Sequence, residues 1–289
     1  MTPDRVFITE VGPRDGLQNE SVVVPLADKV RLVEELAAAG CPEVEVSAFV
    51  RPDRVPQLAD ATGVFGSITK QLGTVYSALV PNIQGFDRAC TAGADKVSLF
   101  TAASETFSMR NTNTSVAGTI ERFRPVVEAA TSQGIPVRVY VSCVVECPFE
   151  GKISSEQVAS VVEQVVALGD VEVDLGDTIG ASAPDDIDPL ILATRSLVDV
   201  DRVVLHLHDT HGGATACARR ALELGVRRFD ASCGGLGGCP FAPGAPGNVA
   251  TEDIVTLCHE MGYDTGIDPV QLVATSKWIQ NLLRRGNTN

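Results

Sequence analysis

The stretch Leu26–Ser47, LADKVRLVEELAAAGCPEVEVS, reads as one complete unit of a repeating pattern. Val30, Val33, Leu36 and Ala37 recur at the spacing that gives a helix one apolar face. Gly40 stops that helix, because glycine accepts the left-handed conformation that commonly follows a helix end. Glu43-Val44-Glu45-Val46-Ser47 then reads as a short strand. The same order returns along the chain. Gly73 precedes Val75–Leu79, Ala92-Gly93 precedes Lys96–Phe100, and Gly134 precedes Val137–Val141. Gly169 precedes Val171–Leu175, and Gly225 precedes Arg228–Ser232. With Val6–Glu10 at the start and Val203–His208 late in the chain, this makes eight strands. Strands alternating with helices predict βαβ units in a parallel sheet. Eight such units filling nearly the whole chain predict an α/β fold, a single (β/α)8 TIM barrel spanning residues 1–289. Its last helix starts near Asp268, runs through Trp278 and Leu283, and frays at Gly286–Asn289. An open, doubly wound sheet shares this periodicity, which does not by itself show closure.

Composition narrows the functional classes. The chain carries 23 Lys+Arg against 37 Asp+Glu, a formal charge of −14, which disfavours nucleic acid and anionic membranes as partners. No stretch approaches the ~18 uninterrupted apolar residues of a membrane span. Met1-Thr2-Pro3-Asp4-Arg5 leads straight into an apolar strand, so a soluble, cytoplasmic protein is expected. The eight cysteines include no CxxC pair, and a chain of this length buries a core without disulfides; mostly reduced, mostly buried thiols are expected.

A barrel of this kind carries its site in the loops at the C-terminal ends of its strands, and the chemically capable residues fall there. Strand one runs into EVGPRDGLQNE, Glu10–Glu20. An acid beside an arginine, between glycines, suits a cation site with an anion clamp, and it also reads as a turn with a local ion pair. Arginine offers a planar fork for a carboxylate or a developing enolate. Strand seven carries His206-Leu207-His208-Asp209, and residues two apart on a strand face the same way. Two imidazoles aimed into the barrel mouth form a metal-ligand arrangement. His211 and His259 read as a loop and a helix-surface residue. After strand eight, GGLGGCPFAPGAPGN (Gly234–Asn248) is too rich in glycine and proline for an ordinary connection and reads as a lid. Gly237 and Gly238 would hinge it, letting Cys239 swing over a ligand, while Asn248 would add an oxygen ligand. Strand six ends in Gly176-Asp177-Thr178-Ile179-Gly180, and Glu45 of strand two faces the same interior.

Together with VPQLAD from Val55, YVSC from Tyr140 and CPFEGKI from Cys147, these segments resemble the 3-hydroxy-3-methylglutaryl-CoA lyases over nearly the whole chain. They belong to a wider set of metal-dependent barrel lyases and synthases. The opening motif and the final glycine-rich loop are the specific ones. The resemblance implies Mg²⁺ or Mn²⁺ held by Asp15, His206, His208 and Asn248. It implies Arg14 on the thioester carbonyl, Cys239 as the catalytic thiol, Glu45 and Asp177 orienting ligands and relaying protons, and Gln18 and Thr178 placing substrate. The implied reaction is a retro-aldol cleavage to acetyl-CoA and acetoacetate. The cation takes the 3-hydroxyl and the free carboxylate, the C2–C3 bond breaks, Arg14 stabilises the enolate, and Cys239 protonates it. The first base stays open between Asp15, His206 and Glu45. An acyl-CoA partner, leucine degradation and a homodimer are implied as well.

Several residues depart from that pattern. Ala48 stands where a serine is expected, His211 where a tyrosine is expected, and Leu283-Arg284-Arg285-Gly286 replaces an Asn-Arg-Lys type ending. These changes leave the 3-substituent open to longer alkyl chains. Because the chain is acidic overall, attraction for CoA must be local, with Arg110 and Lys152 expected in loops after strands. The rival readings are a condensing synthase or aldolase on the same barrel, using a 2-oxo acid and acetyl-CoA, and a non-catalytic acyl-CoA-binding paralogue. The Gly-Gly-Cys-Pro loop argues against the first, and the full set of ligands with the thiol argues against the second.

Overall fold

A computed structural model describes residues 4–238 and 247–286. Eight strands close into a parallel barrel: β1 Phe7–Glu10, β2 Glu43–Ala48, β3 Val75–Leu79, β4 Lys96–Ala102, β5 Val137–Ser142, β6 Val171–Asp177, β7 Val203–Leu207 and β8 Arg228–Ala231. Each strand pairs with its neighbours in chain order. The ring is closed by β1 against β8, in the register Phe7↔Arg228 to Glu10↔Ala231, which excludes the open sheet.

The helices form where the periodicity placed them. The helix Leu26–Ala38 buries Leu32, Val33, Leu36 and Ala37. The helix Ser155–Val166 starts at a capping box, Ser154 accepting from Gln157 N while the Gln157 side chain accepts from Ser154 N. Thr251–Glu260 and Pro269–Gly286 complete the outer layer. Two elements were not anticipated: a helix Glu105–Thr112, N-capped by Ser104, and an antiparallel hairpin of Glu146–Cys147 with Gly151–Lys152. Arg110 therefore lies on a helix and Lys152 on a hairpin strand, not in plain loops. Among the described residues no helix is long and apolar enough to cross a membrane. The seven described cysteines are free and six are buried; Cys239 lies outside the described residues.

The barrel interior is ionic where apolar layers usually fill such barrels. Arg138 is 1% exposed, and its guanidinium donates to Asp230 at 2.8 Å, Glu172 at 3.1 Å and Glu43 at 3.4 Å. Lys96 donates to Glu43 at 2.9 Å and to Glu172. Such buried ions add little net stability over apolar filling, but each depends on its partners remaining. A cavity of about 300 Å³ lies at the N-terminal end of the barrel, lined among others by Arg5, Phe7, Glu43 and Arg138. It shares no residue with the opposite mouth, where the candidate site lies.

Candidate metal-binding active site

The loop after β1 builds one wall of the mouth. Asp15 N and Gly16 N both donate to Val11 O, at 2.8 and 3.1 Å, so the chain makes a wide π-type turn there, a device frequent at functional sites. A Cβ on Gly12 would lie 2.7 Å from Glu10 Oε1, so a larger residue there would displace that carboxylate. The turn holds Arg14, 5% exposed, with Nε donating to Glu45 Oε2 at 2.5 Å and Nη1 to Asp15 Oδ1 at 2.5 Å. Glu45 Oε1 accepts from Ser98 Oγ at 2.8 Å, so both of its oxygens are occupied.

Asp15, His206 and His208 each offer a ligand atom within 4.8 Å of the others. The two imidazole rings lie 5.2 Å apart. His206 Nδ1 lies 3.3 Å from Asp230 Oδ2, leaving Nε2 for an ion, the usual arrangement of a ligating histidine held by a carboxylate. His208 Nδ1 is buried without a hydrogen-bond partner among the described residues. Asn248 spends its amide protons on Asp15 Oδ2 at 2.9 Å and Leu236 O at 3.0 Å, which leaves its oxygen as the acceptor. A carboxylate, two imidazoles and an amide oxygen form a donor set suited to a divalent cation.

Burial alone would raise the Asp15 carboxyl, but Arg14 and the two histidines hold it down at about 2. Burial and the neighbouring His206 push His208 down to about 4, so it stays neutral and able to ligate. Burial works against charge on His206, yet the Asp230 contact and Asp15 leave it above its ordinary 6.5. Arg14 remains charged because Glu45 and Asp15 outweigh its desolvation.

The other expected residues fall around this centre in different ways. Asp177 turns back on its own loop, accepting from Ala181 N and Ser182 N at 3.0 Å and from Ser182 Oγ. Thr178 Oγ1 accepts from Cys143 N at 2.8 Å, a residue held at φ 61. Gln18 is half-buried and follows the β1 turn in the chain. Gly237 opens the last loop directly over the Asp15 turn, where a Cβ would meet Asn248 Nδ2 at 2.8 Å and Gly16 Cα at 3.0 Å. Cys239 falls outside the described residues. His211 is exposed in a turn and His259 exposed on a helix, as expected. Two residues of the centre went unassigned in the sequence. Tyr140 places its ring 5.3 Å from Arg14 Cζ, and Asp230 orients His206. An acid between Phe229 and Ala231 was the signal available for Asp230.

A closed barrel with an oxygen-and-imidazole cluster beside a buried arginine at its C-terminal mouth defines a class: (β/α)8 barrels with a candidate divalent-cation site. A sequence model described as HMGL-like matches residues 5–279. The chain is 45% identical to the 3-hydroxy-3-isohexenylglutaryl-CoA/hydroxy-methylglutaryl-CoA lyase of Pseudomonas aeruginosa, over 99% of this chain and 95% of that one. It superimposes with a TM-score of 0.95 on the HMG-CoA lyase of Brucella melitensis, at 47% identity over 97% of this chain and 99% of that one. An HMG-CoA lyase from Acinetobacter baumannii, solved with coenzyme A and 3-methylmalate, gives a TM-score of 0.92 at 38% identity, over 97% of this chain and 92% of that one. The chain belongs to the 3-hydroxy-3-methylglutaryl-CoA lyase family of carbon–carbon lyases.

Proposed function

We propose that this lyase cleaves 3-hydroxy-3-methylglutaryl-CoA, or a close 3-alkyl analogue, to acetyl-CoA and acetoacetate or its homologue, the chain acting as one barrel domain. The observation that carries the reading is the joining of Asp15, His206, His208 and Asn248 to Arg14 in one buried centre. A Mg²⁺ or Mn²⁺ bound there supplies Lewis-acid and template chemistry for the 3-hydroxyl and the free carboxylate. Arg14 keeps three N–H groups after serving Glu45 and Asp15, and directs them at the thioester oxygen where enolate charge develops. A donor of this kind is worth about 3–4 kcal/mol in other enzymes. Glu45, with both oxygens engaged, is a positioning group that fixes the guanidinium. Asp15, His206 and Glu45 are the three groups placed to accept the hydroxyl proton. Cys239 then delivers a proton to the enolate carbon from the loop anchored at Gly237 and Asn248. Asp177 shapes the loop that presents Thr178, and Gln18 and Thr178 contact the acyl group. Arg110 and Lys152 attract the CoA phosphates.

The acyl-CoA substrate is supported by the coenzyme A bound to the Acinetobacter relative. The Pseudomonas relative is named for two 3-substituents, which supports keeping the alkyl group open. On the same reading the enzyme is a cytoplasmic homodimer serving leucine degradation. The test is to incubate the protein with 3-hydroxy-3-methylglutaryl-CoA, Mg²⁺ and a thiol reductant and to measure acetoacetate. EDTA-sensitive formation, lost in Cys239→Ala, is expected. No product from folded, cation-loaded protein overturns the methyl substrate, and consumption of acetyl-CoA with a 2-oxo acid would indicate a synthase instead.

A further inference from the structure

The cavity at the N-terminal end of the barrel, about 300 Å³, lies at the low end of the sizes that hold small molecules. Arg5, Phe7 and Val75 of its lining are exposed, so it opens to solvent. In a chain of formal charge −14, its wall carries three arginines, Arg5, Arg138 and Arg228, against one acid, Glu43. Two of these arginines have donors to spare. Arg5 makes no ion pair among the described residues, and its Cζ lies 5.4 Å from the centre of the Phe7 ring. Arg228, 4.9 Å from the same ring, gives Nε to Asp201 O at 2.8 Å and sets Nη1 3.5 Å from Glu172 Oε1. Its Nη2 donors have no partner among the described residues.

Glu43 has the opposite deficit. It is 8% exposed, and its Oε2 accepts from Lys96 at 2.9 Å and from Arg138 at 3.4 Å. Its Oε1 is buried without a hydrogen-bond partner among the described residues, and a carboxylate oxygen in that state calls for a donor. A plain anion would satisfy the arginines and leave Glu43 as it is; a plain cation would meet three guanidinium groups. A small zwitterion serves both. Its carboxylate pairs with Arg5 and Arg228, its ammonium donates to Glu43 Oε1, and an apolar side chain lies against Phe7 and Val75. We propose that this cavity binds a small α-amino acid with an apolar side chain.

The cavity connects to the opposite mouth through charges. Arg138 in its wall donates Nη1 to Asp230 Oδ1 at 2.8 Å, and Asp230 Oδ2 lies 3.3 Å from His206 Nδ1. An ammonium on Glu43 competes with Arg138 for that carboxylate, so Arg138 bears harder on Asp230 and loosens its hold on His206. A bound amino acid therefore weakens the cation site, a consequence that rests on the cation reading above, whereas the cavity site itself does not.

The experiment is calorimetric titration of the full chain with L-valine, beside 3-methylbutanoate, which lacks the amine, and 2-methylpropan-1-amine, which lacks the carboxylate. L-valine should bind, and each analogue should bind at least about tenfold more weakly, for the loss of one charge-assisted contact. Arg228→Gln and Arg5→Gln should each weaken L-valine by a similar factor; Arg5 is exposed and unpaired, so its variant keeps the test available if Arg228→Gln does not fold. No binding of L-valine up to about 10 mM, equal binding of the analogues, or binding unmoved by both substitutions overturns the inference. Saturating L-valine should also weaken Mn²⁺ binding by about fivefold or more in the wild type but not in Arg5→Gln. An unchanged Mn²⁺ affinity, or an equal loss in Arg5→Gln from chelation in solution, overturns the connection and leaves the cavity site standing. No Mn²⁺ binding to folded protein without L-valine overturns the cation reading and the connection together.

Discussion

Replacing Arg14 with methionine tests the centre of the proposed chemistry. The guanidinium is 5% exposed and reaches Glu45 and Asp15, each at 2.5 Å. On the proposed mechanism its remaining donors meet the developing enolate, so the substitution removes a charged donor from the place where charge would appear. Donors of that kind cost about 10²–10³ in kcat when deleted. Because the charge exists only in the transition state, KM should change far less than kcat. The cation behaves differently. Arg14 competes for the Asp15 carboxylate, so its loss leaves Asp15 freer and should tighten, not weaken, cation binding. Glu45 loses its ion-pair partner. Burial already raises that carboxyl, so it takes up a proton rather than remaining as an unpaired buried charge, and the fold survives. The assay is acetoacetate release at saturating substrate across a Mg²⁺ titration, beside a thermal melt of the same preparation. A kcat within threefold of wild type in folded protein would refute the reasoning. So would a loss fully reversed by excess Mg²⁺, since Arg14 would then only shape the cation site.

Other perturbations probe the surroundings of that centre. Asp230→Asn removes the carboxylate that holds His206, and calorimetric titration should find Mn²⁺ binding weakened by about 10–100-fold; unchanged affinity would assign His206's orientation to packing alone. Arg138→Met leaves Glu43, Glu172 and Asp230 without their shared cation, and urea unfolding should show a loss of about 3–5 kcal/mol. Glu10 accepts from Gly12 N and Cys233 N and pairs with Thr251 Oγ1, yet complete burial pushes it from its ordinary 4.5 up to about 8. The unfolded carboxyl ionises above pH 4.5 while the folded one keeps its proton to about 8, so Glu10 makes stability fall across that window. Glu10→Gln should therefore narrow the stability difference between pH 5 and pH 8.5, measured by guanidinium midpoints. An equal difference in both proteins would mean that Glu10 is ionised in the folded state throughout.

The strands and helices were legible because their periods are local. The glycine stops and apolar spacing placed all eight strands to within a few residues, and the two-residue spacing of His206 and His208 put both rings on one face. Asp15 and Arg14 were legible as a pair because they are neighbours in the chain. The helix Glu105–Thr112 and the hairpin around Cys147–Gly151 were not read, since the helix is short with only Phe107 and Met109 as large apolar residues, and the hairpin strands are two residues each. The resemblance implied that Asp177 orients ligands and relays protons and that Thr178 places substrate. The fold gives them turn and backbone hydrogen bonds that no spacing reveals.

The ionic interior shows where local reading ends. Alternating charges in Lys96-Val97-Ser98, Val137-Arg138-Val139 and Val171-Glu172-Val173-Asp174 look locally like strands with one wet face. Closure of β1 on β8 turns that face inward, and only then do Arg138, Lys96, Glu43, Glu172 and Asp230 become partners. Tyr140 likewise becomes part of the site only when closure brings its ring on β5 to 5.3 Å from Arg14 Cζ and 6.1 Å from the His206 ring on β7. The sequence by itself determined the barrel units, their order and the ends of strands on which chemistry would stand, because covalent geometry fixes helical and strand periods within a few residues. The tertiary structure decided closure, the charged interior and the meeting of Asp15, His206, His208 and Asn248 beside Arg14, because each depends on distances between strands that the chain brings together only on folding.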